Sequence, residues 1–199
     1  MIQTTRLDLH AVQPAEYSLL AVDRADPRLW SDRGFSNPYR HLVDDPGPLV
    51  HRIPRILADP TAAPYLLRMA VLRQAGVIVG SAGFHDRPDE SGMIEIGLGV
   101  VPEWRGQGLA TEMLTGMWRW VVRQPGVRML RYTVAPENAA SQALVGKFGF
   151  EYCGQQIDDE DGPEDIFEIT VDDFNRRWSA EHWGAERLEV RPGGVNEQP

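Results

Sequence analysis

A chain of 199 residues has the length of one globular domain with a short tail. Hydrophobic residues make up 42% and charged residues 25%, as in proteins with a packed core, and no apolar run reaches the roughly 20 residues that span a membrane. The formal charge of −9 argues against a nucleic-acid partner, because phosphate contacts need clustered lysine and arginine. We therefore expect no membrane and no nucleic-acid partner.

Cysteine usage and the N-terminal residues indicate the compartment. Arg6, Asp8 and Glu16 interrupt any apolar core near the N-terminus, so no signal peptide is predicted. Cys153 is the single cysteine, which excludes an internal disulfide and a cysteine-based zinc cage. The five histidines show no metal-ligand spacing, so we predict no metal site. We expect a cytoplasmic protein in which Cys153 is a buried small hydrophobe rather than an acyl carrier.

The first 64 residues divide into a regular part and an irregular part. Alternating side chains predict a strand over residues 4–12, and Pro14 predicts a helix that begins just after it. The proline-rich residues 25–64 carry a helical pattern over 49–57 that Pro54 is expected to break. A stretch of this length with little periodicity often lines a binding site, although one or two short helices would also account for it.

The later elements are apolar runs or helical stripes bounded by turn residues. Strands are predicted over 65–72, 77–84, 93–101, 127–135, 150–156 and 166–171. Helices are predicted over 109–122, from Asn138 to Gly149, and over 174–178. An acidic loop is predicted over 158–165, and the end of the chain after residue 190 is predicted to be disordered. We expect one domain over residues 1–172, followed by a short helix and tail over 173–199.

The stretch from Val100 to Thr111 joins a predicted strand to the longest predicted helix. Pro102 should end the strand, and Gly106 and Gly108 let the backbone turn tightly and approach a ligand. A helix N-terminus presents free N–H groups at the positive end of its dipole, and Arg105 adds a charge. The stretch therefore predicts an anion site suited to a pyrophosphate. It lacks the third glycine of the dinucleotide fingerprint and the Lys-Ser/Thr of the nucleotide triphosphatase loop.

Read as Arg105-x-x-Gly108-x-Ala110, the turn resembles the signature of the GNAT superfamily, the acyl-CoA-dependent N-acyltransferases. A second stretch, Asn138-x-x-Ser141-x-x-Leu144-x-x-Lys147-Phe148-Gly149-Phe150, resembles the downstream signature of the same superfamily at its usual separation. The opening Thr4-Thr5-Arg6-Leu7-x-Leu9 and the strand Glu95-Ile96-Gly97-Leu98-Gly99-Val100 look like the branch that acetylates ribosomal-protein N-termini and similar amines. The resemblance covers residues 4–171 and implies an α/β fold, a twisted mixed sheet of six or seven strands with helices on both faces.

The same resemblance implies acetyl-CoA as co-substrate and assigns the residues that would bind it. The pyrophosphate would lie on the glycine turn, and the pantetheine arm would pair with the strand before it as though it were another strand. The implied contacts are Leu98, Gly99, Val100, Arg105, Gly106, Gln107, Gly108, Leu109, Ala110, Thr111, Asn138 and Ser141. Asn138 would hold the pantetheine, cap its helix, or do both.

Acetyl transfer to an amine requires a base for the amine proton, a donor to the carbonyl oxygen, and an acid for the leaving thiolate. Glu95 is the candidate base, with an exposed strand glutamate as the alternative. The oxyanion donor is expected to be a backbone N–H near Leu98 or Gly99. Many family members carry a tyrosine where Val145 stands, so Ser141 on the same helix face is the candidate acid. The alternative is that this hydroxyl bonds only its own helix.

The sequence therefore predicts an N-acetyltransferase that passes the acetyl group of acetyl-CoA to a primary amine of a small molecule or a peptide N-terminus by direct attack. A non-catalytic acyl-CoA sensor is one alternative, which the missing tyrosine keeps open. A dinucleotide-binding oxidoreductase is another, against which the absent third glycine and the mid-chain position of the motif count. Six carboxylates within residues 158–165 would attract a cationic acceptor if they line its entrance, whereas a solvated turn would have no such effect. A homodimer is a further open expectation.

Overall fold

The computed structural model describes residues 1–158 and 162–178, and its described strands form one eight-stranded sheet. The strands are Ile2–Gln3 (β1), Leu7–Ala11 (β2), Arg68–Leu72 (β3), Val77–Phe84 (β4), Met93–Val100 (β5), Met129–Val134 (β6), Glu151–Asp158 (β7) and Gly162–Thr170 (β8). Their order is β1-β2-β3-β4-β5-β6-β8-β7, and the pair β5–β6 is parallel while the others are antiparallel. The predicted count of six or seven strands is wrong, because Ile2 and Gln3 add a short edge strand opposite Leu9 and Asp8.

Helices cover both faces of the sheet, which confirms the predicted α/β class. They are Pro14–Val22 (α1), Leu49–Ala58 (α2), Leu109–Val121 (α3), Ala139–Phe148 (α4) and Val171–Arg177 (α5). One core packs α3, α4 and α5 against the sheet around the buried Trp118 and Phe148. The other packs α1 and α2 against it around Tyr17 and Ile56. The two helical layers therefore enclose the sheet, and a site between strands can be reached from either face.

Helix α2 runs through Pro54, so the predicted break at this proline is wrong. A proline inside a helix leaves one carbonyl, four residues earlier, without its N–H donor. Here that carbonyl belongs to Val50, a residue that is 49% exposed. Because water can bond an exposed carbonyl, the helix tolerates the lost hydrogen bond.

The predicted acidic loop over 158–165 is also wrong, because β7 extends to Asp158 and β8 begins at Gly162. Residues 159–161 lie outside the described residues. The carboxylates on these strands accept hydrogen bonds from side-chain amides. Gln156 donates to Glu164 at 2.9 Å, and Gln142 donates to Asp165 at 3.1 Å. The loop prediction counted the charges along the sequence and missed their partners on β7 and α4.

Cys153 is exposed, so the prediction of a buried small hydrophobe is wrong. It lies on β7, the edge strand of the sheet, where the register shifts between Tyr152 and Gly154. Edge strands with a bulge turn side chains toward solvent that an inner strand would bury. Phe174 of α5, which directly follows β8, is buried in the same core as α3. The predicted disordered end after residue 190 lies outside the described residues.

Candidate active site

Strands β5 and β6 separate at Glu95. They pair only from Met93 opposite Met129 to Glu95 opposite Arg131. Beyond that point β5 stays paired with β4 as far as Val100, and β6 stays paired with β8 along its whole length. The sheet therefore opens into a V with Glu95 at its apex, and no described strand pairs with the inner backbone edges of the V, which suit pairing with a ligand.

Hydrogen bonds to β4 fix which backbone groups of β5 face this gap. The amide of Val101 donates to the Val79 carbonyl at 3.0 Å, and the amide of His85 donates to the Glu95 carbonyl at 2.8 Å. Backbone groups alternate along a strand, so those of the odd-numbered residues face β4 and those of the even-numbered residues face the gap. Of the two predicted oxyanion donors, the amide of Leu98 points into the gap and that of Gly99 points toward β4.

The glycine turn follows directly at the open end of the V. One turn of 3₁₀-helix over Pro102–Trp104 leads into it, and α3 begins at Leu109 with Gly108 as its N-cap. Gly106 and Gly108 have φ values of 73° and 78°, in the left-handed region that favours glycine. No side chain caps the helix, so its first-turn N–H groups are available to an anion. Arg105 donates through Nε to the Val100 carbonyl at 3.0 Å, on the gap-facing edge of β5.

The N-terminal segment braces this turn, a role that the sequence alone did not indicate. Arg6 donates through Nη1 to the Gln107 carbonyl at 3.0 Å, and its Nε lies 2.7 Å from the Glu112 carboxylate. The Arg6 amide and the Thr4 hydroxyl also donate to Glu112, at 2.6 and 2.5 Å. Desolvation raises the pKa of Glu112, but the hydrogen bonds from Thr4 and Arg6 outweigh it and hold the pKa below its usual value.

Glu95 lies on the α1/α2 face, because Ile94 and Ile96 on either side of it pack into the core under α3. The Thr133 hydroxyl donates to its Oε1 at 2.7 Å, and His85 Nδ1 lies 3.7 Å from the same oxygen. Desolvation and the positive charge of Arg52 lower the pKa of His85, so its imidazole is neutral at neutral pH. The negative charge of Asp158, the last residue of β7, opposes this shift but does not outweigh it.

The proline-rich segment supplies a second histidine on the same face. His41 Nε2 lies 2.9 Å from the Ser81 hydroxyl, and Ser81 is opposite Gly99 in the β4–β5 register. Asn37 holds the backbone of His41 in place by hydrogen bonds of 2.9 and 3.0 Å to its N–H and carbonyl. Burial lowers the pKa of His41 to about 4, so this ring is also neutral. A Cβ on Gly99 would lie 3.9 Å from the His41 ring, so the histidine covers this glycine.

Ser141 lies on the opposite face of the sheet, where α3 and α4 pack. Its amide donates to the Asn138 side chain at 3.1 Å, which confirms Asn138 as the N-cap of α4. The Tyr132 hydroxyl lies 3.5 Å from Ser141 Oγ, a long contact. Desolvation raises the pKa of Tyr132, so the phenol stays protonated at neutral pH. Val145, at the position of the tyrosine common in the resembling family, is buried in the core.

The model of the acetyltransferase (GNAT) domain family matches residues 6–151. The chain belongs to this GNAT family. A curated relative of Streptomyces coelicolor, named L-2,4-diaminobutyric acid acetyltransferase, is 34% identical over 93 residues, which are 46% of this chain and 54% of the relative. The chain thus spans about half the length of the curated relatives that it matches.

Solved GNAT structures share the fold at low sequence identity. The spermidine/spermine N-acetyltransferase SpeG of Vibrio cholerae has a TM-score of 0.60 at 14% identity, covering 87% of this chain and 98% of that chain. The ribosomal L7/L12 alpha-N-protein acetyltransferase RimL, solved with coenzyme A, has a TM-score of 0.58 at 16% identity, covering 86% of this chain and 99% of that chain. Neighbours of several kinds match equally well, so the branch suggested by the opening Thr4–Leu9 segment stays a prediction.

The GNAT domain brings some predicted site residues together and separates others. The gap-facing edge of β5 and the glycine turn form one continuous surface that ends at α3. Glu95 and Ser141 lie on opposite faces of the sheet, with the gap between them. The sequence did not indicate four site residues that reach the site from distant elements: Thr133, His41, Ser81 and Tyr132. The one available signal was the alternation along β6, which places the side chains of Thr133 and Tyr132 on opposite faces of the sheet.

Within residues 1–158 and 162–178, no group of three or more His, Cys, Asp or Glu side chains has an arrangement that could hold a metal ion. In the same part of the chain, no helix combines the length and apolar character that crossing a bilayer requires.

Proposed function

We propose that this GNAT protein transfers the acetyl group of acetyl-CoA to a primary amine that attacks the thioester directly. The proposal rests on the V between β5 and β6, which has Glu95 at its apex and the N-terminus of α3, with no side-chain cap, at its open end. The backbone of Leu98 and Val100 and the first-turn amides of α3 fit a ligand with an extended amide arm and a pyrophosphate. Family membership supports acetyl-CoA as that ligand.

On the α1/α2 face, Glu95 accepts the proton that the attacking amine loses. Thr133 donates to one carboxylate oxygen and fixes the carboxylate at the apex of the V. The second oxygen is left to face the amine directly or through a water molecule. The amide of Leu98 donates to the carbonyl oxygen as negative charge develops on it.

On the α3/α4 face, Ser141 returns a proton to the sulfur that leaves. Its hydroxyl is 3.5 Å from Tyr132, whose raised pKa keeps a proton available there at neutral pH. We propose that the pair replaces the tyrosine absent at position 145: Ser141 gives its proton to the thiolate, Tyr132 gives its proton to Ser141, and solvent water returns a proton to Tyr132. The two proton transfers then take place on opposite faces, so the amine and the thiol do not compete for space.

The acceptor is proposed to enter from the Glu95 face as a cation. The net charge of −9 attracts a cationic amine over long range. Asp158 contributes to this charge near the site, because it interacts electrostatically with His85. The relatives named above act on amines by their names, a diamino acid in one case and a polyamine in another, which supports a small amine as substrate.

A homodimer is proposed as the assembly. Tyr152 and Ile157 are exposed on the edge strand β7, with 58% and 75% of their surface in solvent. Apolar side chains on an uncovered edge strand favour association with a second copy. Size-exclusion chromatography with light scattering tests this: a monomer at all concentrations would contradict it.

The proposed function is tested by CoA release from acetyl-CoA in the presence of a panel of amines. Glu95→Gln should lower kcat by roughly 10²- to 10⁴-fold, the scale of general base catalysis, and should retain acetyl-CoA binding. Glu103→Gln, in the exposed turn beside the glycines, is the matched control and should keep full activity. Binding of acetyl-CoA with no CoA release for any amine would favour the non-catalytic sensor instead.

A further inference from the structure

Arg52 is a buried cation whose charge the described carboxylates offset only at longer range, through Asp86 and Glu95. It lies on α2 with 5% of its surface exposed. Its Nη1 donates to the His85 carbonyl at 3.4 Å, and its Nε has no hydrogen-bond partner among the described residues. Within the described part of the chain no carboxylate forms an ion pair with it. Burial lowers the pKa of Arg52 to about 10, so the guanidinium is still charged at neutral pH.

Two neighbouring arginines show how Arg52 differs, although the Nε of Arg68 is also buried without a hydrogen-bond partner among the described residues. Arg55, one turn further along α2, is exposed and pairs with Asp86. Arg68 is equally buried, but its guanidinium lies 4.7 Å from the centre of the Trp120 ring and donates to the Pro64 carbonyl at 2.8 Å. A buried charge without such compensation strongly disfavours folding, so its presence calls for a function.

The guanidinium lies next to the apex of the V, on the acceptor side. Helix α2 covers the face on which Glu95 lies, and Arg52 contacts the carbonyl of His85. The amide of that same His85 donates to the Glu95 carbonyl at 2.8 Å. Nη1 donates to the His85 carbonyl, whereas Nε is fully buried and no described residue accepts from it. The N–H groups of Nε and Nη2 are parallel, the geometry that matches a planar carboxylate.

We propose that Arg52 binds a carboxylate of the acceptor, so that the substrate class is amines that also carry a carboxylate, as amino acids do. The proposal rests on the proposed function of the site. Glu95 receives the proton of the amine while Arg52 holds the carboxylate beside it, which orients the nucleophile toward the gap. A diamino acid carries the carboxylate that Arg52 would bind. Its second ammonium group offsets that carboxylate, so the molecule stays cationic and is still attracted by the negative net charge of the protein.

The test compares amino acids with the amines that remain when their carboxylate is removed: L-ornithine with putrescine, and L-lysine with cadaverine. In the wild type, kcat/KM should be roughly 10- to 100-fold higher for the amino acid of a pair, the value of charge-assisted hydrogen bonds to one group. Arg52→Gln should reduce this ratio to near one, mainly through KM of the amino acid. Arg52→Lys should restore part of it, and Arg55→Gln, the control on the same helix, should keep it.

Thermal unfolding separates this role from a structural one. Arg52→Met loses no ion pair and only a long hydrogen bond of 3.4 Å to the His85 carbonyl, so Tm should change little. Arg68→Met loses a hydrogen bond of 2.8 Å and the contact with Trp120 and should lower Tm. A larger fall in Tm for Arg52→Met than for Arg68→Met would overturn the proposal.

Three kinetic results would also overturn it, and they differ in what they leave standing. Equal kcat/KM within each pair would overturn the carboxylate subsite and leave the acetyltransferase proposal intact. A higher kcat/KM for the corresponding aminophosphonate than for the amino acid would show that the subsite binds a phosphonate-like anion and not a carboxylate. CoA release with no amine or amino acid, despite binding of acetyl-CoA, would overturn the proposed function itself.

Discussion

Gly97 and Gly83 are opposite each other in the β4–β5 register, and a methyl group added at either one should have very different effects. At Gly97 the atom nearest to an added Cβ is His85 Nε2 at 3.5 Å, an ordinary contact. At Gly83 the added Cβ would lie 1.7 Å from the Leu66 carbonyl oxygen, which the backbone cannot accommodate without moving. Gly97→Ala therefore loses no contact and reduces the entropy of the unfolded chain, which favours folding by about 0.4–1 kcal/mol. We expect Tm to stay constant or rise by up to about 4 °C.

The same methyl group should impair acetyl transfer. It would project from the strand between Glu95 and Gly99, on the face from which the amine is proposed to approach. Displacing reacting groups by about 1 Å costs on the order of 100-fold in rate, so kcat/KM for the amine should fall roughly 10- to 100-fold. Binding of acetyl-CoA through the gap-facing backbone should be retained, because the methyl group lies out of the plane of the sheet.

Three measurements on Gly97→Ala decide the matter: CoA release at varied amine concentration, calorimetric titration with acetyl-CoA, and thermal unfolding. Gly83→Ala serves as the structural control and should lose about 1–3 kcal/mol of stability through overpacking. An unchanged Tm together with full amine kcat/KM for Gly97→Ala would refute the reasoning, because the amine would then approach by a route that avoids the Glu95 face.

Three further predictions concern the co-substrate, the acid and the pH dependence of stability. Gly108→Ala and Gly126→Ala both place a side chain at a left-handed φ, of 78° and 84°, so both should lose about 1–2 kcal/mol. Neither added Cβ is crowded: Arg6 Nη2 lies 3.7 Å from the first, and nothing lies within 4 Å of the second. Only Gly108→Ala should weaken acetyl-CoA binding in titration, and equal affinities would exclude the glycine turn as the pyrophosphate site. Tyr132→Phe should lower kcat by roughly 10²-fold at constant acetyl-CoA affinity; an unchanged kcat would leave Ser141 without a reprotonating partner. The pKa of His41 falls from 6.5 to about 4 on folding, so the folded state binds fewer protons in this window and stability decreases as pH falls, by up to about 3 kcal/mol. His41→Gln should reduce that pH dependence in urea titrations between pH 7 and pH 4, and a wild-type-like slope would contradict it.

The sequence by itself determined the elements whose signals are local. The glycine turn, α3 after it, and α4 with Asn138 as cap were all predicted, because capping, turn chemistry and helical spacing are encoded within a few neighbouring residues. The same local signals failed where a distant partner decided the outcome. The carboxylates around 158–165 predicted a loop. In the structure, Gln142 and Gln156 donate to Asp165 and Glu164, and these carboxylates lie on a strand.

Only the tertiary structure decided which side chains meet at the candidate site. Glu95 and Thr133 are 38 residues apart in sequence, and His41 and Ser81 are 40 apart, so no local pattern joins them. Their contacts arise because the sheet order sets β4, β5 and β6 side by side and the proline-rich segment folds over one face. The unpaired charge of Arg52 is likewise a tertiary property, because burial depends on everything that packs around α2. Local sequence encodes the backbone conformation of each element, whereas the polar environment of a side chain is set by residues that long-range packing brings to it.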